Sequence, residues 1–176
     1  MGSRRLSKDR VTALLKSLVG TKIDLGKSTI LHKRPVEALT NAAAVTRTLQ
    51  AQESGTLFTV NLATVDNDIT LTLPAAASSA GVFFDFCVLA NSDDDADLVI
   101  TTGANGTDIY GGIITLDANS TVDAFNGISK ITVDGSVAQT SEGLMMSLLC
   151  DGTNWHLSGH IATAVGTVHL VGSASA

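Results

Sequence analysis

The fold turns on two short stretches, Leu57-Phe58-Thr59-Val60-Asn61-Leu62 and Ile69-Thr70-Leu71-Thr72-Leu73. In both, apolar side chains alternate with Thr or Asn, the period-two pattern of a half-buried strand. Pro74 ends the second stretch. Beyond it, Val82–Ala90 (VFFDFCVLA) is almost continuously apolar, as expected of a central strand covered on both faces. Further strands are expected at 98–102, 107–110, 113–116, 120–125, 128–133, 144–150, 155–158 and 167–171. Asn105-Gly106, Asn126-Gly127, Asp134-Gly135 and Asp151-Gly152 supply turn signals between several of them. About ten short strands at 8–12-residue spacing predict a mainly β fold, an antiparallel β-sandwich or barrel of jelly-roll type.

Composition agrees. The chain has 176 residues, 44% hydrophobic but only 4% aromatic, with 16 Gly and 2 Pro. That is too apolar for a disordered acidic tail, and no apolar run approaches the roughly 20 residues of a membrane-spanning helix. Two cysteines, Cys87 and Cys150, without CxxC spacing predict buried free thiols, with neither a disulfide framework nor a zinc site.

The charge is divided unevenly. Residues 1–47 hold ten basic and three acidic residues, a balance of +7, whereas residues 48–176 hold Lys130 against fourteen acids, a balance of −13. The sequence therefore divides into a basic N-terminal arm (1–47) and an acidic β domain (48–176). Within the arm, Val11, Leu14, Leu15 and Leu18 follow helical spacing over residues 7–19, with Ser7 placed to cap the start and Gly20 to stop the end. A helix of about 12 residues is marginal alone and needs a surface for its stripe. Residues 21–46 sustain neither period and read as an extended arm, passing into a weakly helical or linking stretch over 36–52. The arm is either a solvated tail or a segment that docks onto an acidic surface or a nucleic acid.

No catalytic or cofactor pattern emerges. Gly26-Lys27-Ser28 resembles the end of a phosphate loop, but Thr21 occupies the place of the first glycine and no βαβ pattern surrounds it. Asp93, Asp94, Asp95 and Asp97 cluster, but Leu98 and Ala104 stand where a calcium loop needs Gly and Glu. His156 and His160 lie four apart in a strand region without the adjoining Glu of a metalloprotease. Neither cysteine has a His–Asp arrangement, and no Gly-x-Ser-x-Gly elbow occurs. The expectation is a non-enzymatic protein with no catalytic residues, cofactor or metal.

Four segments together carry a resemblance: SGTLFTV (54–60), ITLTLPAAASSAGVFFDFCV (69–88), IYGG (109–112) and LLCDGTNWHLSG (148–159). Over about residues 53–160 the chain resembles the small β-domain structural proteins of tailed bacteriophages, namely capsid decoration (cement) proteins and related fibre domains. The resemblance implies a homotrimer on the outer surface of the virion capsid, bound to the major capsid protein. No nucleic acid, membrane or small-molecule substrate is expected as a partner. It also implies that Asp151-Gly152 turns the chain and Trp155 anchors the next strand. Capsid binding is assigned to the arm through Arg4, Arg5, Lys8, Arg10, Lys16, Lys22, Lys27, Lys33 and Arg34, together with the apolar stripe of Val11, Leu14, Leu15 and Leu18. The alternative is a tail-fibre or receptor- and glycan-binding domain, although no coiled-coil or repeat shaft is legible in the sequence.

Overall fold

A computed structural model describes residues 34–90, 96–103, 108–116, 121–135, 141–162 and 170–173. The chain divides between Lys33 and Arg34 into two units, and everything below concerns the second. The expected helix at 7–19, and every arm residue named above except Arg34, lie outside the described residues, as do Asp93–Asp95 and the Gly26-Lys27-Ser28 stretch.

The described chain is mainly β. In order it forms β1 (Val36–Thr40), β2 (Val45–Thr48), β3 (Leu57–Asn61), β4 (Ile69–Thr72), β5 (Phe83–Ala90), β6 (Leu98–Thr101), β7 (Ile109–Leu116), β8 (Thr121–Ile128), β9 (Lys130–Val133), β10 (Met145–Cys150), β11 (Trp155–Ala162) and β12 (Leu170–Ser173). A seven-stranded sheet runs β1-β3-β5-β10-β11-β7-β8, and a five-stranded sheet runs β12-β9-β6-β4-β2. Both contribute to one hydrophobic core.

The first six strands alternate between the sheets: β1, β3 and β5 pair in parallel in one, β2, β4 and β6 in the other. The chain thus winds through three coils, crossing to the opposite sheet after every strand. β10 then enters antiparallel between β5 and β11, β11 lies parallel to β7, and β9 lies antiparallel to β6. Two-layer β architecture matches the sequence expectation, but the pairing does not match an all-antiparallel jelly roll. Five of the ten pairings among the described residues are parallel; four arise because the return strand of each coil runs through the other sheet instead of through a hairpin, and the fifth joins β7 to β11.

Two further expectations are corrected. The stretch 34–47 is not arm: β1 and most of β2 lie there, and Leu39 and Asn41 are buried. Asn41 fastens this first coil to the second. Its side-chain amide donates to Leu62 O at 2.6 Å and also to Val65 O, and its Oδ1 accepts from Thr64 N at 3.0 Å. A buried amide so fully partnered fixes the bend rather than burdening the core. In addition, residues 109–116 form one strand where two were expected. Gly111 takes φ +120°, and a Cβ there would stand 2.0 Å from Leu157 O. Only glycine lets β7 approach β11 this closely.

The scarce aromatics are concentrated inside. Phe58 stacks on Phe86 (centroids 5.4 Å) and lies 6.1 Å from Phe84, which stacks on Trp155 at 5.8 Å. Each of the four is essentially fully buried, worth roughly 1.5–3 kcal/mol for a large apolar side chain. At the open end of the winding, Arg47 reaches over the Phe58 ring (5.7 Å) and pairs with Glu37 of β1 and Glu53. Burial disfavours its charge, but the two carboxylates outweigh this and raise its pKa.

Candidate functional site

Along β5, β7 and β10 the inward positions feed the core, and the outward positions are largely apolar as well. Phe83 and Leu89 on β5, Ile114 and Leu116 on β7, and Met145 and Leu149 on β10 all face out and are exposed. With Val36 on β1 and Val122 on β8, they account for eight of the nine exposed large apolar residues among those described; the ninth, Val65, is in a connection, and none lies on the five-stranded sheet. Among the described side chains, the outward positions of that other sheet are Thr46, Thr48, Thr70, Thr72, Thr101, Lys130 and Thr132, with Val99 half-buried.

Register arranges the outer face into cross-strand rows. One row runs Thr59–Cys87–Met145–His160–Ile114–Val122. The next runs Leu57–Asp85–Ser147–Ser158–Gly112–Ala124, and a third Phe83–Leu149–His156–Tyr110–Asn126. The middle row has small side chains at its centre, so two ridges flank a trough. Its volume is about 410 Å³, and its lining includes Arg34, Asp85, Ile114, Met145, Ser147, Ser158 and His160.

Among the described residues, Asp85 and Asp151 on this face have partners within the chain. Arg34 forms an ion pair with Asp85, donates to Gly55 O at 2.7 Å, and lies 6.0 Å from the centroid of the Phe83 ring. Arg34 was expected among the capsid-binding arm residues; its guanidinium instead ties the start of the described chain to β5. At the β10–β11 hairpin, Asp151 Oδ1 accepts from Thr153 N and Asn154 N at 2.7 Å each, and His156 Nε2 lies 2.8 Å from Asp151 Oδ2. The His156 contact, reinforced by the two amides, pulls the Asp151 carboxyl down to about 2. Asp151 and Gly152 do form the turn, with Gly152 at φ +96°, and Trp155 opens β11 fully buried.

Among the described residues, no three His, Cys, Asp or Glu side chains gather as a metal site would require. His156 and His160 share the outward face of β11 but are about 13 Å apart along an extended strand, too far to hold one ion. Cys150 is buried and burial pushes its thiol up, aided by the Asp151 charge, which makes it a poor nucleophile. No described helix is long and apolar enough to cross a membrane.

Residue-by-residue search for polar motifs missed this face, because its residues are ordinary apolar strand formers. The signal lay in the doubly apolar runs 82–90, 113–116 and 144–150. Coverage was expected on both sides of Val82–Ala90; the described chain covers only one. No family model, curated protein or solved structure matches this chain.

Proposed function

We propose that this chain is a non-enzymatic structural protein, a homotrimeric decoration protein on the outside of a phage capsid, bound to the major capsid protein through its basic N-terminal segment. The observation that carries the structural role is the exposed apolar outer face of the seven-stranded sheet, a surface suited to protein contact rather than to a small substrate. The capsid assignment rests on the resemblance of residues 53–160 and on the charge division. With Arg34 and Arg47 tied into the β body, the attachment charges are those of residues 1–33. Binding only to the assembled lattice stabilises it by mass action, and three arms on one trimer add avidity.

The test is stoichiometry and attachment on purified particles. A copy number comparable to that of the capsid protein, lost on deleting residues 1–33, is the expected result. Full occupancy without residues 1–33 would overturn the anchoring role. A second reading, a fibre or receptor-binding domain, draws support from the three-coil winding of β1–β6, an architecture that extends by repetition. A handful of copies per particle would favour it.

A further inference from the structure

We infer that the outer face of the seven-stranded sheet is the surface through which this chain binds a second copy of itself. The inference rests on the homo-oligomeric part of the reading above and is independent of the capsid role.

Area is the first argument. The eight exposed side chains are 39–63% accessible. At about 60–120 Å² of apolar area per large side chain, from 1.5–3 kcal/mol at about 25 cal/mol per Å², they present on the order of 250–500 Å² of apolar surface. That is comparable to the roughly 300–600 Å² of the largest patch on a typical monomer. It is also of the order of the apolar share of the roughly 800 Å² per partner in a standard interface.

Charge selects the occupant. Residues 34–176 hold three basic and fifteen acidic residues, a balance of −12, so two copies repel over most orientations. On this face, however, Arg34 neutralises Asp85, and Asp151 is held by the Thr153 and Asn154 amides and by His156. A basic partner would find Asp85 already paired, whereas an identical acidic body meets less repulsion where that charge is cancelled. Shape is consistent with this. The ridge carrying Phe83 and Leu149 and the ridge carrying Met145 and Ile114 flank the trough centred on Ser147 and Ser158, and large side chains of one copy can enter the trough of another. Finally, β5, β7 and β10 carry apolar residues on both faces, the composition of strands buried on both sides.

The experiment uses the full chain and two double variants, Leu149→Lys with Ile114→Lys, and the milder Leu149→Thr with Ile114→Thr. Multi-angle light scattering across micromolar concentrations should give an oligomer for the parent. Both variants should shift to monomer, the Lys pair with association weakened by about a hundredfold or more, since like charges then face each other. Thr70→Lys, on the outward face of the other sheet, should leave the mass unchanged. Thiol alkylation supplies the fold control. Cys87, on the outer face, should label slowly in the parent and quickly in the variants, while buried Cys150 stays protected in all of them. A parent chain that is monomeric at 100 μM, or variants that keep both the oligomer mass and slow Cys87 labelling, would overturn the inference. Monomeric parent with particle attachment lost only in the variants would assign the face to the lattice instead. Dissociated variants with no particle binding in the parent would instead remove the capsid role and leave the self-association intact.

Discussion

Replacing Gly111 by Ala probes a close backbone approach between β7 and β11. The new Cβ would lie 2.0 Å from Leu157 O and 2.9 Å from Leu157 C. A carbon–oxygen contact needs about 3.3 Å, so β7 must withdraw from β11 by more than 1 Å (about 1.3 Å by that contact distance). About two ladder hydrogen bonds would weaken, each worth about 1 kcal/mol net. A non-glycine residue at positive φ adds about 1–3 kcal/mol of strain. The total is about 3–5 kcal/mol, a large part of the roughly 5–15 kcal/mol that holds a domain folded. Gly143→Ala is the matched control, because Gly143 has φ +84° but nothing within 4 Å of the added Cβ. It should cost the strain alone, about 1–2 kcal/mol. Urea unfolding of the full chain, followed by Trp155 fluorescence, measures both. Equal midpoints for the two variants would refute the argument, since the backbone clash would then have no energetic consequence.

Other outcomes follow from the same geometry. Phe84→Ala, which empties the space between Phe58 and Trp155, should destabilise by about 3–5 kcal/mol; a loss under 1 kcal/mol (about a third of the usual minimum) in denaturant unfolding would contradict the central stack. A double-mutant cycle on Arg47→Leu and Glu53→Gln should give a coupling of about 0.5–1 kcal/mol, modest because the side chains remain partly solvated, and zero coupling would dissolve the ion pair. Asp151 has its carboxyl pKa lowered from 3.8 to about 2, so its contribution is complete above its unfolded value and is lost as pH falls through that window. Asp151→Asn should remove that part of the acid dependence of Tm, and parallel parent and variant curves between pH 4 and 2 would disprove the link.

What the sequence conveyed follows from what alternation encodes. Phe58, Val60, Ile69 and Leu71 sit at clean period-two positions, and β3 and β4 fall where expected. β1 and β2 escaped notice because Glu37 and Arg47 occupy inward positions, opposite Phe58 and Leu71 respectively. Such charges read as linker until Arg47 is seen covering the end of the core. Alternation tells which face a residue takes but not which strand lies beside it, so the parallel winding was illegible. Asn126-Gly127 illustrates the same limit. It reads as a hairpin turn, yet it lies inside β8, where Gly127 takes φ +73° opposite a register shift at Ile109/Tyr110. The outer face was hidden for another reason: exposure is a property of the assembled sheet, and Leu149 and Leu148 are indistinguishable until one is seen at 48% and the other at 0% accessibility.

The winding also sets an order of events during folding. Val36 meets Leu57 after one short circuit of chain, and Leu57 meets Asp85 after the next, so the early coils close small loops at low entropic cost. The middle of the large sheet comes late. β10 must return to β5 from across four intervening strands, and β11 must find β7 before it has neighbours on both sides. Ridge and trough alike depend on β10, which supplies Met145, Ser147 and Leu149 at their centre. A nascent chain therefore lacks its adhesive face until nearly all of the body has been synthesised and closed. Timing of this kind separates folding from association, because incompletely wound chains in a crowded cell have no finished surface with which to recognise one another.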